Sequence, residues 1–254
     1  MNEPSVPDAQ PPHQWLRPEL LRSWTEYLVA AALLMVLPIR SSTSAALRGS
    51  SGHFIQLLLT DTHMLWSIFW EALVLAAFLL YLKWRGWKPS DLHVGIGWWT
   101  SVQGLGLLVV AYLAAIVTLF IMIFGTYLLE SQNRTLVDVI TSVAPHIAPH
   151  SIHISWAVIV VAMVLNAFLE ELICMGYIFN QLAARRGPLR ALLFTVFLRA
   201  ACHTYQDPIH LAGIVVLFTV FAGWYWYTRK LWPLIFAHIL LDLGSVSVVK
   251  IWFS

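Results

Sequence analysis

Two adjacent glutamates, Glu170 and Glu171, interrupt an otherwise uncharged segment that runs from about Ile152 to Leu182. This segment exceeds the length of about 20 residues that an α-helix needs to cross the hydrocarbon of a bilayer. A carboxylate in the middle of a bilayer is costly, and two neighbouring carboxylates also repel each other. Because charged groups inside membranes commonly mark functional sites, the pair predicts an active or transport site within a membrane.

The composition supports a membrane setting for the whole chain. Hydrophobic residues make up 59% of it and charged residues only 11%, whereas soluble domains carry about 25% charged residues. The sequence therefore predicts an all-α fold, a polytopic membrane helix bundle with about seven to eight membrane-embedded helices. The predicted spans are Trp24–Ile39, Met64–Leu82, Val102–Leu129, Ile152–Leu182, Leu189–His203, Ile209–Tyr227 and Leu231–Trp252, with His53–Leu59 as an eighth embedded piece.

The organisation along the chain is simple. Residues 1–20 are predicted to be a disordered polar leader, and residues 21–254 to be one transmembrane helical domain with its catalytic core at 150–254. Lysine and arginine concentrate in the loops Lys83–Lys88 and Ala183–Arg190. By the positive-inside rule this pattern predicts a cytoplasmic N-terminus. The net charge of +2 is too small to indicate a nucleic-acid partner, so the lipid bilayer is the predicted environment.

Three predicted helices each carry two polar residues close together. On two of them the pair is four residues apart, which places both side chains on one face of the helix. The adjacent pair points about 100° apart, so one acid can face a cavity while the other faces a neighbouring helix. None of these groups can face lipid cheaply, which predicts that they converge on one hydrated cavity. The six residues are Glu170 and Glu171, Arg199 and His203, and His238 and Asp242.

These residue types can activate water. A desolvated carboxylate is a useful general base, and a neighbouring imidazole can share or pass on the proton. A second histidine can donate a hydrogen bond to a developing oxyanion. The set Glu170, His203, His238 and Asp242 covers these functions without a serine or cysteine nucleophile. It therefore indicates hydrolysis of an amide or ester by water within the bilayer.

Other interpretations remain open on composition and spacing alone. Intramembrane ions can hold helices together, or form the proton path of a transporter. Two histidines and two carboxylates would also suit zinc by ligand type. Glu71 lies in the middle of the second predicted span with no motif around it, and is expected to face the bundle and to pair with a cation or a polar neighbour. The histidines His146, His150 and His153 are interpreted as a solvated loop, since neighbouring prolines disfavour a regular helix there.

The region from Asn166 to Asp242 resembles a known family in three ordered motifs. The first is the acid pair followed by Gly176-Tyr177, the second is Arg199-Ala200-Ala201-Cys202-His203, and the third is His238-Ile239-Leu240-Leu241-Asp242. Together they are similar to the CPBP family of intramembrane glutamic endopeptidases, which includes the CAAX prenyl-protein proteases and bacterial relatives. The resemblance implies a multi-pass membrane endopeptidase, with the bacterial plasma membrane as the expected location.

The resemblance also implies functions for the individual residues. Glu170 would be the base, with His203, that activates a water; His238 and Asp242 would form the oxyanion side, and Glu171 would be the second acid. No metal or other cofactor is implied, and the expected substrate is a peptide or protein at the membrane, with prenylated substrates as one option. The family's arginine after the acid pair is Met175 here.

That departure leaves an inactive alternative: a CPBP-like scaffold or immunity-type membrane protein, with a proton-coupled transporter as a third interpretation. Arg199 is the candidate to supply the missing charge. Its guanidinium can hold a carboxylate through two parallel hydrogen bonds. We therefore expect Arg199 to pair with Glu171 and to leave Glu170 available as the base.

Overall fold

The computed structural model describes residues 20–21, 23–47, 60–130, 135, 137–138, 155–206 and 208–253. Within these ranges the chain is helical and has no strand, which confirms the predicted all-α fold. The described helices are α1 Trp24–Leu47, α2 Asp61–Trp84, α3 Trp98–Glu130, α4 Trp156–Glu171, α5 Asn180–Arg186, α6 Pro188–Cys202, α7 Pro208–Thr228 and α8 Trp232–Phe253. A 3-10 turn covers Pro89–Leu92, and π-helical turns cover Leu172–Phe179 between α4 and α5.

Some predictions concern residues outside these ranges. The predicted leader lies outside them except for its last residue, Leu20. The predicted embedded piece His53–Leu59 and the loop histidines His146, His150 and His153 also lie outside the described residues.

In the described part of the chain, four helical stretches are long and apolar enough to cross a membrane: Thr62–Trp84, Trp98–Leu129, Trp156–Arg186 and Pro208–Thr228. Helix α1 would be a fifth if its two parts, which meet at 43° between Ala32 and Leu34, form one span. Pro38 lies four residues after Leu34, where its ring disfavours a regular helical turn. Helix α6 has only 15 residues, and the apolar part of α8 is Trp232–Val248. The protein is an integral membrane protein, and the number of spans stays a prediction.

The helical stretch from α4 to α5 forms the centre of the bundle. Every residue of the π segment Leu172–Phe179 is buried, whereas α3 exposes large apolar side chains such as Phe120 and Leu129. Extensive apolar exposure is expected where lipid covers the protein. The acid pair at the end of α4 therefore lies next to the most enclosed part of the fold.

The packing of the helices determines which side chains can reach the acid pair. Helix α4 packs against α2 and α8, and the π segment packs against α6. Gly187, at φ 87°, and Pro188 as the first residue of α6 make the sharp turn that returns α6 to the π segment. Helices α3 and α8 approach closely at Gly104, where an added Cβ would lie 2.8 Å from the carbonyl oxygen of Pro233.

Candidate active site

Glu171 and Arg199 form a buried ion pair at the centre of the site. The Glu171 side chain is 0% exposed and that of Arg199 is 1% exposed, and Nη2 of the arginine lies 2.7 Å from Oε1 of the glutamate. The guanidinium carbon also lies 4.3 Å from the ring centroid of Phe218 in α7, in a cation–π arrangement. The ion pair that the sequence predicts is thus present, and it neutralises one acid of the pair.

The two side chains do not form two parallel hydrogen bonds. Only Oε1 of Glu171 contacts the guanidinium closely, and within the described chain Oε2 has no hydrogen-bond partner. The reason is that His238 also binds Oε1, while Nη1 of Arg199 faces Glu170 at 4.0 Å. The arginine therefore lies between both acids and is much closer to Glu171.

His238 connects the acid pair with Asp242. Its Nδ1 lies 2.9 Å from Oε1 of Glu171, and its Nε2 lies 3.5 Å from Oδ2 of Asp242, one helical turn further along α8. The amide of Asn166, from α4, donates a hydrogen bond of 3.1 Å to the same Asp242 oxygen. Both ring nitrogens of His238 therefore face carboxylates, and the Nε2 side, at 3.5 Å, is the less tightly paired of the two.

Glu170 has a different environment from its neighbour. Its side chain is 29% exposed, against 0% for Glu171. It is close enough to Asp242 and His238 to interact with them electrostatically, and its nearest cation nitrogen is 4.0 Å away. One helical step thus separates a fully buried, paired carboxylate from a partly exposed one.

His203 lies at the end of α6, where a hydrogen bond orients its ring. Its Nδ1 is 2.8 Å from the carbonyl oxygen of Arg199. A carbonyl oxygen can only accept, so Nδ1 carries a proton and the neutral ring has its lone pair on Nε2. The ring packs against Tyr205 and Phe218, at centroid distances of 6.1 and 5.6 Å. It also interacts electrostatically with Asp242.

Helix α1 fixes the turn that follows His203. The hydroxyl of Ser42, which is 2% exposed, lies 3.0 Å from the hydroxyl oxygen of Thr204 and accepts a hydrogen bond of 3.1 Å from the backbone N–H of Tyr205. These contacts hold the end of α6 at a defined position relative to the bundle.

The structure thus places all six predicted site residues in one cluster, in which each interacts with at least one other. Sequence analysis did not assign three further members to the site. Asn166 precedes Glu170 by one turn, a spacing that could have identified it. Phe218 lies between the two histidines, 6.0 Å from the ring of His238, but an aromatic residue in an apolar helix gives no signal. Glu71 of α2 interacts electrostatically with Glu170 and Asp242.

The segment after the acid pair is π-helical. Such turns are rare and occur frequently at functional sites. Met175, at the position of the family's arginine, is 0% exposed within this segment and belongs to the hydrophobic core. Among the described residues no three or more histidine, cysteine, aspartate or glutamate side chains are arranged to hold a metal ion.

A comparison with protein-family models gives a match over residues 152–244, to the family described as Type II CAAX prenyl endopeptidase Rce1-like. The matched segment includes the acid pair, Arg199, both histidines and Asp242. Residues 152–244 are thus similar to the Rce1-like family, in agreement with the resemblance that the sequence motifs indicate. No curated protein and no solved structure matches the chain at the threshold of the comparison. At family level this match supports a CAAX-type intramembrane protease, and Glu71 lies outside the matched segment.

Proposed function

We propose that this protein is a membrane-embedded endopeptidase in which Glu170 activates a water for attack on a peptide bond. The observation that carries the proposal is the unequal environment of the acid pair. Glu171 is fully buried and held by Arg199 and His238, whereas Glu170 is 29% exposed and interacts electrostatically with Asp242, which also interacts with His203. A base must reach both water and substrate, and of the two acids only Glu170 has that access.

The proposed reaction starts with removal of a proton from water. Glu170 takes this proton, assisted by His203, and the water oxygen forms a bond to the carbonyl carbon of the substrate. The lone pair on Nε2 of His203 can take this proton over from Glu170, and the protonated ring then donates it to the leaving nitrogen as the C–N bond breaks. The proton taken from water thus ends on the new amine, and the base is regenerated.

The oxyanion of the tetrahedral intermediate would be stabilised by His238. Its Nδ1 is occupied by Glu171, so Nε2 is the nitrogen that can donate to substrate. Asp242, held by Asn166, orients the Nε2 side of the ring from 3.5 Å. A ring fixed at both nitrogens is preorganised, which is the condition under which such donors contribute most to catalysis.

Arg199 supplies the positive charge that Met175 does not. Without a cation, two adjacent buried carboxylates could not both stay ionised at low cost. Arg199 neutralises Glu171 at 2.7 Å and stays 4.0 Å from Glu170. In this proposal the departure at Met175 therefore leaves the base functional, which favours an active enzyme over an inactive scaffold.

The proposed substrate is a peptide or protein at the membrane, and a prenylated C-terminal peptide is the first choice because of the family. The test uses the purified protein in lipid nanodiscs with a prenylated peptide and its unprenylated counterpart. We expect cleavage of the prenylated peptide, and a loss of about 10²–10⁴-fold in Glu170→Gln, the range for removal of a general base. Glu26→Gln in α1 is the matched control, because Glu26 pairs with Arg85 outside the site.

Near-wild-type cleavage by Glu170→Gln would refute the assignment of the base. A folded wild-type protein that cleaves neither peptide would favour the inactive scaffold. Cleavage of both peptides at equal rates would retain the protease and exclude selection for the prenyl group.

A further inference from the structure

Helix α2 contributes a carboxylate to the site from outside the family-matched segment. The buried face of α2 follows a spacing of alternating four and three residues, which keeps side chains on one side of a helix. Five apolar members of this stripe pack into the hydrophobic core, and the sixth is Glu71. The stripe consists of Met64, Ile68, Glu71, Leu75, Phe78 and Leu82. Glu71 thus occupies a core-facing position rather than a lipid-facing one.

The helix that this stripe faces is α4. Helix α2 packs against α4, and Met64 of α2 belongs to the same small apolar cluster as Ile159 and Ala162 of α4, with Leu243 of α8 packed against it. The same three helices carry the three carboxylates: Glu71 lies two turns after Met64, Glu170 two to three turns after Ala162 and Ile159, and Asp242 directly before Leu243. This shared packing explains why Glu71 interacts electrostatically with both other carboxylates.

Within the described part of the chain, no cation pairs with the Glu71 carboxyl. Its Oε2 is buried, and among the described residues it has no hydrogen-bond partner. The neighbouring charges that act on it are those of Glu170 and Asp242. Arg199, the buried arginine of the site, is committed to Glu171 at 2.7 Å. Three carboxylates therefore interact electrostatically within the helix bundle, where three like charges together are expensive.

We propose, on the basis of the proposed function, that Glu71 is a positioning residue of this site and shares one proton with Glu170 and Asp242. The proton exchanges among the three carboxyl groups, so their titrations are coupled. When Glu71 holds it, Glu170 is free to accept a proton from water. When Glu71 is ionised, its charge strengthens Glu170 as a base.

Titratable and charged groups on the other elements also act on Glu170 and influence where the shared proton lies. The test substitution leaves these groups unchanged. They are Arg199, Cys202 and Tyr205 from α6 and its turn, Cys174 from the π segment, and His238 and Asp242 from α8. A change at α2 leaves all of them in place. The substitution Glu71→Gln therefore removes one titrating group while keeping the size and the hydrogen-bonding ability of the side chain.

The first measurement needs no substrate and is independent of the proposed function. Infrared spectra of the wild-type protein in nanodiscs, recorded as a pH titration, distinguish a protonated carboxyl from a carboxylate by its C=O stretch. We expect one protonated carboxyl at neutral pH in the wild type and in the control Glu26→Gln. We expect this signal to be lost in Glu71→Gln. A wild type without it, or a Glu71→Gln variant that retains it unchanged, would overturn the proposal.

The second measurement follows peptide cleavage against pH. In Glu71→Gln the acid limb of kcat/KM should move to lower pH by about one unit, the size of change expected when a neighbouring like charge is removed. A loss of about 10²-fold or more in the plateau rate of this variant would indicate that Glu71 is itself a base, and would contradict a positioning function. Glu71→Asp should restore the wild-type profile at least in part. An unshifted limb would contradict proton sharing, whereas a wild type without cleavage would count against the proposed function and leave the infrared result to decide this one.

Discussion

Removing the charge of Arg199 should destabilise the bundle strongly. The guanidinium is 1% exposed and lies 2.7 Å from a carboxylate that is 0% exposed. At an effective dielectric constant of about 20, two unit charges at this separation attract by about 6 kcal/mol, and desolvation offsets much of that. Arg199→Met, which leaves a buried carboxylate unpaired, should lower the free energy of unfolding by about 3–5 kcal/mol.

Combining Glu171→Gln with Arg199→Met separates the interaction energy of the ion pair from the contributions of the surrounding residues. The glutamine can still accept a hydrogen bond from His238 at the position of Oε1. Each single substitution leaves a buried polar group without its partner, whereas the double variant leaves neither charge of the pair buried and unpaired. The double variant should therefore be more stable than the sum of the single losses predicts, by about 2–3 kcal/mol, in the upper part of the range for contacting residues.

The assay is the free energy of unfolding in detergent for the wild type, both single variants and the double variant. The pair of Arg85 and Glu26 provides a matched second cycle, because these side chains are 24% and 29% exposed. That cycle should give a coupling of about 1 kcal/mol or less, as for partly exposed pairs. Strictly additive losses at Arg199 and Glu171 would refute the view that this contact balances the acid pair.

Three further predictions concern packing, orientation and metal dependence. Gly104→Ala should lower the free energy of unfolding by about 1–3 kcal/mol, because its Cβ would lie 2.8 Å from a carbonyl oxygen of α8. The control Gly106→Ala, whose Cβ meets no atom within 4 Å, should be neutral or stabilising by up to about 1 kcal/mol. Equal effects of the two substitutions in chemical denaturation would contradict this explanation. Asn166→Ala removes the hydrogen bond to the Asp242 carboxylate and should reduce kcat by about 10–100-fold, since a hydrogen bond to a charged group contributes about 1.5–3 kcal/mol. An unchanged kcat would exclude a positioning function for Asn166. Elemental analysis of active protein should find no stoichiometric transition metal, and zinc whose removal abolishes activity and whose return restores it would overturn the metal-free reaction.

The helices were predictable because apolar runs leave few alternatives in a membrane. Helix α7, predicted as Ile209–Tyr227, is Pro208–Thr228 in the structure, and α6 is Pro188–Cys202 against a prediction of Leu189–His203. In both cases proline begins the helix, as its fixed φ and missing N–H favour. The first helix extends beyond the prediction, from Ile39 to Leu47, because its polar end packs: Ser42 binds the turn after α6.

Contacts within the site could be predicted where the chemistry of the residues allowed only one partner. A buried arginine one turn from His203 and an adjacent acid pair made the ion pair with Glu171 foreseeable. The distribution of hydrogen bonds was not, because it depends on His238 reaching Glu171 from α8. The position of Glu71 was not settled either, since its stripe shows which face of α2 is buried but not which helix covers it.

The π-helical segment Leu172–Phe179 makes chain length itself a requirement at this point. A π-helix closes its hydrogen bonds over one residue more than an α-helix does, so the side chains before and after it have an angular relation that an α-helix of equal length would not give. Deleting one residue there would turn Glu170 and Glu171 by about 100° relative to Asn180, whose amide donates to Tyr225 of α7. Insertions and deletions should therefore accumulate in the loops of related chains and be excluded from these eight positions, even where the residues themselves vary.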